Sequence, residues 1–282
     1  MTGLNVPTIT LNDGHRIPQL GLGTYKVTPE DAARVVREGA GLGYRHFDTA
    51  QMYHNEKEVG EGLRAAGLER SEFFLTTKLN NNNHEPDDAR RSFDQSLKDL
   101  GVDYVDLFLI HWPLPTLYDG DFVSTWKVLE EFHADGRAKS IGVSNFQVDH
   151  LQKVLDEGSV KPAINQIEVH PFLPNNEVRE FCQSHDIAIE AWSPLARGKV
   201  IDDPVLTEVG KAHGKTAGQV ALRWAIERGD IVFPKSLRKE RMAENADIFD
   251  FKLTDKDKHI IEGLDLGEEG RTGSHPDTMD RL

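Results

Sequence analysis

The chain has 282 residues, with 47 acidic against 33 basic side chains and a net charge of −14, which argues against a nucleic-acid footprint and against attachment to an anionic membrane. Apolar residues make up 38% and charged residues 28%, enough for a sizeable core and too little bias for disorder. A lone cysteine, Cys182, excludes an intrachain disulfide, and no apolar run approaches the length of a membrane span.

The first residues, MTGLNVPTITLNDG, lack a basic stretch followed by an apolar run, so no signal peptide is expected. Together with the single thiol this predicts a soluble, cytoplasmic protein. The segment TITLNDGHRIPQ reads as two short strands around Asn12-Asp13-Gly14, because Asp-Gly between alternating apolar residues is a hairpin signal. Strand-like runs then follow at 19–23, 44–48, 73–78, 105–111, 139–144, 163–168, 188–192 and 230–234. Helical patterns lie between them. One begins with Thr28 as N-cap and Pro29 at the first position. Another, EPDDARRSFDQSLKDLG, has acidic residues in its first turn and ends at Gly101. A third, KTAGQVALRWAIERG, repeats apolar residues at helical spacing and stops at Gly229. Cys182 falls in a helical stretch and is expected to be a buried structural thiol.

Eight strands alternating with helices, without a linker or low-complexity break, imply a parallel sheet. Eight units in about 250 residues fit a (β/α)8 TIM barrel of one domain spanning 1–282, with an open doubly wound sheet as the alternative. The last residues, from GEEGRTG onward, show no periodicity and are expected to form a polar tail over one face.

In such barrels chemistry sits at the carboxyl ends of the strands. Those ends carry Asp48, with Tyr53 in the loop beyond it, then Lys78, His111, Ser144 with Asn145, Gln166 with Glu168, and Trp192, while Lys235 follows the last strand. A carboxylate, a phenol, an ammonium and an imidazole from three successive strands thus converge on one rim. By contrast, His46 within a strand reads as a packing residue, and His170 before Pro171 as either a loop residue or one that lines the site. No HxH or HExxH pattern occurs, so no metal site is expected.

The stretches GYRHFDTAQMYHNEKEVG, TTKL, DLFLIHWP, GRAKSIGVSNF, INQIEVHPF and VFPKSLRKERMAEN resemble the aldo-keto reductase family in order and spacing, from about Ile9 to Arg271. Among its members the chain is most similar to short bacterial enzymes of the 2,5-diketo-D-gluconate reductase type. The resemblance implies reduction of aldehydes, ketones, dicarbonyls or keto-sugars to alcohols by hydride transfer, with Tyr53 as acid/base, Lys78 as its partner, Asp48 as the anchor of the lysine, and His111 as orienter. Hydride transfer builds charge on the carbonyl oxygen, so a proton must reach it. A free phenol titrates near pH 10 and a neighbouring ammonium is expected to lower that value. His111 is the alternative acid, since its ordinary pKa lies nearer to neutrality.

The resemblance also places a nicotinamide cofactor against Ser144, Asn145 and Gln166, with Trp192 as a stacking face and Leu195 along the pyrophosphate path. GLGTY at 21–25 holds only two glycines of a dinucleotide fingerprint and reads as a strand-end turn. At 234–245 a strand runs into a helix start bearing Lys235, Ser236, Arg238 and Arg241, a basic cluster in an acidic chain. Such a helix terminus favours an anion, here a 2′-phosphate and hence NADPH over NADH. Glu244 and Asn245 resemble the adenine contacts. A small-molecule carbonyl substrate is expected to meet Tyr25, Tyr53, His111, Trp112 and the tail. One departure stands out: Asn80 follows the lysine where the family commonly has an aromatic residue, which predicts a more polar wall and small or hydroxylated substrates. The short loop after His111 predicts an open site. A monomer is expected. Competing readings are a cofactor-binding module without turnover and a metal-dependent barrel hydrolase.

Overall fold

The computed structural model describes residues 4–282. Strands β1 (Thr8–Thr10) and β2 (Arg16–Pro18) pair antiparallel with Ile9 opposite Ile17, and Gly14 closes the turn at φ +90°. The expected hairpin is therefore present.

Eight parallel strands follow in sequential order around one sheet: β3 (Leu22–Gly23), β4 (His46–Asp48), β5 (Phe74–Leu79), β6 (Val105–Ile110), β7 (Ala138–Ser144), β8 (Ile164–Glu168), β9 (Ala188–Trp192) and β10 (Ile231–Val232). Residues 19–21 close the ring. Leu20 bridges Val232, Gly21 N–H donates to the Val232 carbonyl at 2.8 Å, and Val232 N–H donates to that of Gln19 at 3.0 Å. The single strand expected at 19–23 is thus divided: its first half pairs with β10 and its second with β4. The TIM barrel expectation holds, and the open sheet does not.

Helices α1 (Pro29–Leu42), α2 (Glu56–Ala65), α3 (Pro86–Leu100), α4 (Val123–Ala134), α5 (Val148–Glu157) and α6 (Asn176–Ser184) each follow one barrel strand. Two helices, α7 (Pro204–His213) and α8 (Ala217–Glu227), follow β9, and α9 (Lys239–Ala246) and α10 (Asp255–Glu262) follow β10. The main core lies between strands and helices, where Phe93 of α3 stacks within 4.3 Å of Phe108 and 4.4 Å of Phe132. Cys182 is fully buried there, and burial pushes its thiol up to about 12, an inert structural thiol.

A second cluster fills the amino-terminal end of the barrel. Leu11 and Ile17 of the hairpin region pack on Phe74, Leu107, Leu109, Ile164 and Ile231. Asn12 fastens that plug by donating to the carbonyls of Pro162 and Asp186. With one end closed by apolar side chains, polar inward-facing residues are left to the carboxyl end. The tail crosses that end. Met279 packs into a cluster with Trp112 and Leu114, and Asn81 Nδ2 donates to the Arg281 carbonyl at 2.6 Å.

Candidate active site

Side chains alternate faces along a strand, so every second residue points into the barrel. On β4 that period carries His46 and Asp48, on β5 Thr76 and Lys78, on β8 Gln166 and Glu168, and on β9 Glu190 and Trp192. Asp48 and Lys78 are buried at 1% and 0% exposure. Lys78 Nζ donates to Asp48 Oδ1 at 2.6 Å, to the Thr49 carbonyl at 2.9 Å and to Tyr53 Oη at 3.4 Å. All three ammonium hydrogens are thereby engaged, which is how a charge survives in a dry interior.

Tyr53 ends a short 3-10 turn, Gln51–Tyr53, that His54 closes in the left-handed region at φ 54°. The turn folds the phenol back over β5. Its ring meets His111 edge-on at 5.8 Å and Tyr25 at 5.1 Å. His111 sits just past the end of β6, buried, with Nδ1 lacking a protein partner. The four predicted groups therefore meet at one rim. Their protonation differs from the expectation in one respect. Burial, with the charges of Asp48 and Tyr25 adding to it, holds the Tyr53 phenol well above its ordinary value rather than below it. Burial, then the charge of Lys78, holds His111 well below its ordinary value, so the ring is neutral at physiological pH.

Beside this set, Asn145 stands at φ 63° and donates to the His111 carbonyl at 2.9 Å, while Trp192 Nε1 donates to Asn145 Oδ1 at 2.8 Å. Ser144 Oγ donates to the Gln166 carbonyl at 2.8 Å. Gln166 Nε2 donates to Asp48 Oδ2 and to Glu190 Oε2, both at 2.9 Å, so its amide nitrogen faces the barrel interior and its Oε1 is left for another donor. Trp192 is half-buried, and Leu195 beyond it packs toward the start of α8 near Gly218.

The basic cluster lies one strand further round. Lys235 and Arg238 are exposed and make no ion pair among the described residues, whereas Arg241 Nε is 3.8 Å from Glu244 Oε2. Ser236 Oγ accepts from Arg238 N–H at 3.1 Å and shapes the entry into α9. Glu244 accepts from Thr216 at 2.9 Å, and Asn245 is buried. The two glycines of GLGTY serve packing: a Cβ at Gly21 would lie 2.7 Å from the His46 ring, and one at Gly23 2.6 Å from the Phe233 carbonyl. Lys235 is carried next to β3 by that same approach, 3.8 Å from the Gly23 position.

Trp112 is buried under the tail. Asn80 lies elsewhere. Its Oδ1 caps a short turn through Asn81 N–H at 2.9 Å, and its side chain lines a depression of about 220 Å³ with Gln51, His54 and Asn83 on the flank of α3. Another cavity, about 370 Å³, lies on the outer flank by Trp224, Arg228 and Lys258. Among the described residues no three His, Cys, Asp or Glu side chains gather as metal ligands.

Of three further buried polar residues, the sequence reading places Glu168 at a strand end without a role, takes His46 for a packing residue and passes over Glu190. Glu168, buried, accepts from His170 at 3.0 Å, from Thr272 N–H at 2.7 Å, from the Thr272 hydroxyl and from Gly273 N–H at 3.0 Å, and so clamps the tail. Burial would raise its carboxyl, but these hydrogen bonds outweigh that and lower it. Glu190 and His46 form the layer beneath the rim. Their signal was a carboxylate and an imidazole inside otherwise apolar strands.

A parallel eight-stranded barrel with an ion-paired lysine, a phenol and an imidazole gathered at its carboxyl rim places the chain among the (β/α)8 enzymes. The chain belongs to the aldo/keto reductase family, whose family model matches residues 19–266. It is 46% identical over 273 residues to an aldo-keto reductase of Mycolicibacterium smegmatis, covering 97% of this chain and 98% of that protein. It is 41% identical to glyoxal reductase of Bacillus subtilis, covering 96% and 97%. Among solved structures, a mutant of Gox0644 in complex with NADPH superposes with a TM-score of 0.93 at 42% identity, covering 98% and 99%. No helix among the described residues is long and apolar enough to cross a membrane.

Proposed function

We propose that this protein is an NADPH-dependent reductase of small aldehydes, ketones and dicarbonyls, with Tyr53 as the proton donor. The observation that carries the reading is the Asp48–Lys78–Tyr53 chain, 2.6 Å and 3.4 Å per link, at the barrel rim beside His111. Reduced nicotinamide, when bound, supplies the hydride. Ser144, Asn145 and the free Oε1 of Gln166 offer the donors and acceptor a carboxamide needs, Trp192 and Leu195 the apolar walls. Lys235, Ser236, Arg238 and Arg241 suit a phosphate at the start of α9, with Glu244 and Asn245 behind them; two cations without an ion pair, Lys235 and Arg238, at a helix start in a chain of net charge −14 fit that group.

Tyr53 holds its proton at neutral pH because it is buried, and it releases that proton to the oxyanion as charge develops there. Lys78 then faces the phenolate and stabilises it, while Asp48 keeps the ammonium in place. Neutral His111 orients the carbonyl oxygen and does not compete as the acid. Relatives named glyoxal and methylglyoxal reductases support small dicarbonyls as substrates. Tyr25, Trp112 and the tail would form the pocket. Asn80 enters the proposal only through the turn it caps. The single-cysteine chain suits a cytoplasmic protein acting as one domain, and a monomer is the expected state, which light scattering of the purified protein checks.

The deciding experiment follows NADPH absorbance with methylglyoxal. In Tyr53→Phe, kcat/KM is expected to fall by about 10² to 10⁴ while NADPH still binds. Turnover at the parental rate would overturn the assignment.

A further inference from the structure

His46 and Glu190 lie in the barrel interior, one layer below the rim, and both are fully buried. His46 Nδ1 is 3.2 Å from the carbonyl oxygen of Pro18. A carbonyl only accepts, so Nδ1 carries a hydrogen, and in the neutral ring Nε2 is a bare lone pair. Nε2 lies 3.5 Å from Glu190 Oε1, and neither atom has a hydrogen-bond partner. A neutral imidazole and an ionised carboxylate would set two acceptors face to face without water. A proton on Oε1 turns that clash into a donor and an acceptor. The ring is fixed from three sides: Gly21 leaves no room for a Cβ, Phe74 meets it edge-on at 5.2 Å, and Phe233 lies at 6.4 Å.

The other oxygen of Glu190 joins this pair to the catalytic set. Gln166 Nε2 gives one hydrogen to Glu190 Oε2 and one to Asp48 Oδ2, each at 2.9 Å. Two carboxyl groups thus share one amide, and Lys78, which pairs with Asp48, acts on Glu190 through its charge alone. His46 of β4 and Gln166 of β8 lie against Glu190, and the charges of Asp48 from β4 and Lys78 from β5 act on it; Glu168 is turned to His170 and the tail, and β10 offers only Ile231 and Val232.

We propose that Glu190 is a positioning residue that holds a proton, donated to His46 Nε2, and that this proton keeps the field of Lys78 directed at Asp48 and Tyr53. While the proton stays, the buried charges balance, one ammonium against one carboxylate. Once it is lost at alkaline pH, a second carboxylate shares the ammonium through Gln166, and the Tyr53 phenolate is stabilised less. Burial, then the charge of Asp48, raises the Glu190 carboxyl, and burial takes His46 down to about 3, so both favour the proton on oxygen.

The kinetic consequence rests on the Tyr53 reading above; the proton itself does not. Infrared difference spectra of the enzyme labelled with carbon-13 glutamate are expected to show a protonated-carboxyl band at neutral pH that titrates away on the alkaline side and is missing in Glu190→Gln. That substitution presents a neutral N–H to His46 and an oxygen to Gln166 at every pH, so the alkaline limb of kcat/KM for reduction is expected to lose one ionisation. No titrating acid band in the parent enzyme, or an unchanged alkaline limb in the variant, would overturn the proposal. So would nitrogen-15 spectra of the parent with both His46 nitrogens protonated at neutral pH. Should the variant not fold, the parental nitrogen-15 spectra of His46 decide alone, because the buried carboxyl of Glu56 titrates in the same infrared region. An active Tyr53→Phe enzyme would remove the kinetic reading and leave the infrared titration standing.

Discussion

At the scale of single residues, the site separates two candidates for the acid by desolvation. Tyr53 and His111 share the rim, and burial drives both toward their neutral forms; in the proposed mechanism only the phenol gives up its proton to an oxyanion beside an ammonium. His111 stays neutral well below its ordinary range, so kcat/KM is expected to be flat as pH falls through about 6.5, the ordinary histidine value. An acid limb centred there that disappears in His111→Asn would contradict this neutral role. The four rim residues were legible in the sequence because each terminates a strand or follows one closely. The direction of the Tyr53 shift was not, since the sequence names the neighbouring ammonium but not how deeply the hydroxyl is desolvated.

At the scale of elements, α9 and the α2–β5–α3 contact make separate predictions. The start of α9 gathers Lys235, Arg238 and Arg241, and charge-assisted bonds to a phosphate contribute roughly 1.5–3 kcal/mol each. Lys235→Ala and Arg241→Ala are each expected to reduce the NADPH-over-NADH preference by about tenfold or more, read from the two KM values. An unchanged preference would place the 2′-phosphate elsewhere. Glu56 of α2 is buried between Thr77 of β5 and Ser96 of α3, whose hydroxyls donate at 2.5 and 3.1 Å. Burial raises its carboxyl from 4.5 to about 7. A folded value above the unfolded one means that its contribution is full below pH 4.5 and is lost as pH rises toward about 7. Glu56→Gln is therefore expected to gain stability relative to the parent across that window, by roughly 1.4 kcal/mol per pH unit at most, and to level off above it. Paired urea melts at several pH values test the sign. Helix positions such as α1 behind Thr28-Pro29 and α3 before Gly101 were readable from caps and periodicity. Strand lengths were less so: residues 19–23 read as one strand, although they pair with two different neighbours.

At the scale of the whole molecule, the tail is the element that lies across the carboxyl end of the barrel. It is held at Glu168 through Thr272 and Gly273, and at the apolar cluster of Trp112, Leu114 and Met279. A chain ending at Arg271 is expected to fold and to bind NADPH, while KM for carbonyl substrates rises by roughly tenfold, a loss of about 1.4 kcal/mol. An unchanged KM would remove the tail from the pocket. By itself the sequence determined what depends on near neighbours along the chain: the alternation of strands and helices, the period of two that aims Asp48, Lys78 and Gln166 inward, the caps, and the basic start of α9. Only the tertiary structure decided what depends on barrel closure and register, because those contacts join residues with no local pattern in common. Gln166 reaches Asp48 across 118 positions, and Thr272 reaches Glu168 across 104. His46 meets Glu190 only when the ring is complete, and Asn80 turns toward α3 because its oxygen caps the adjoining turn.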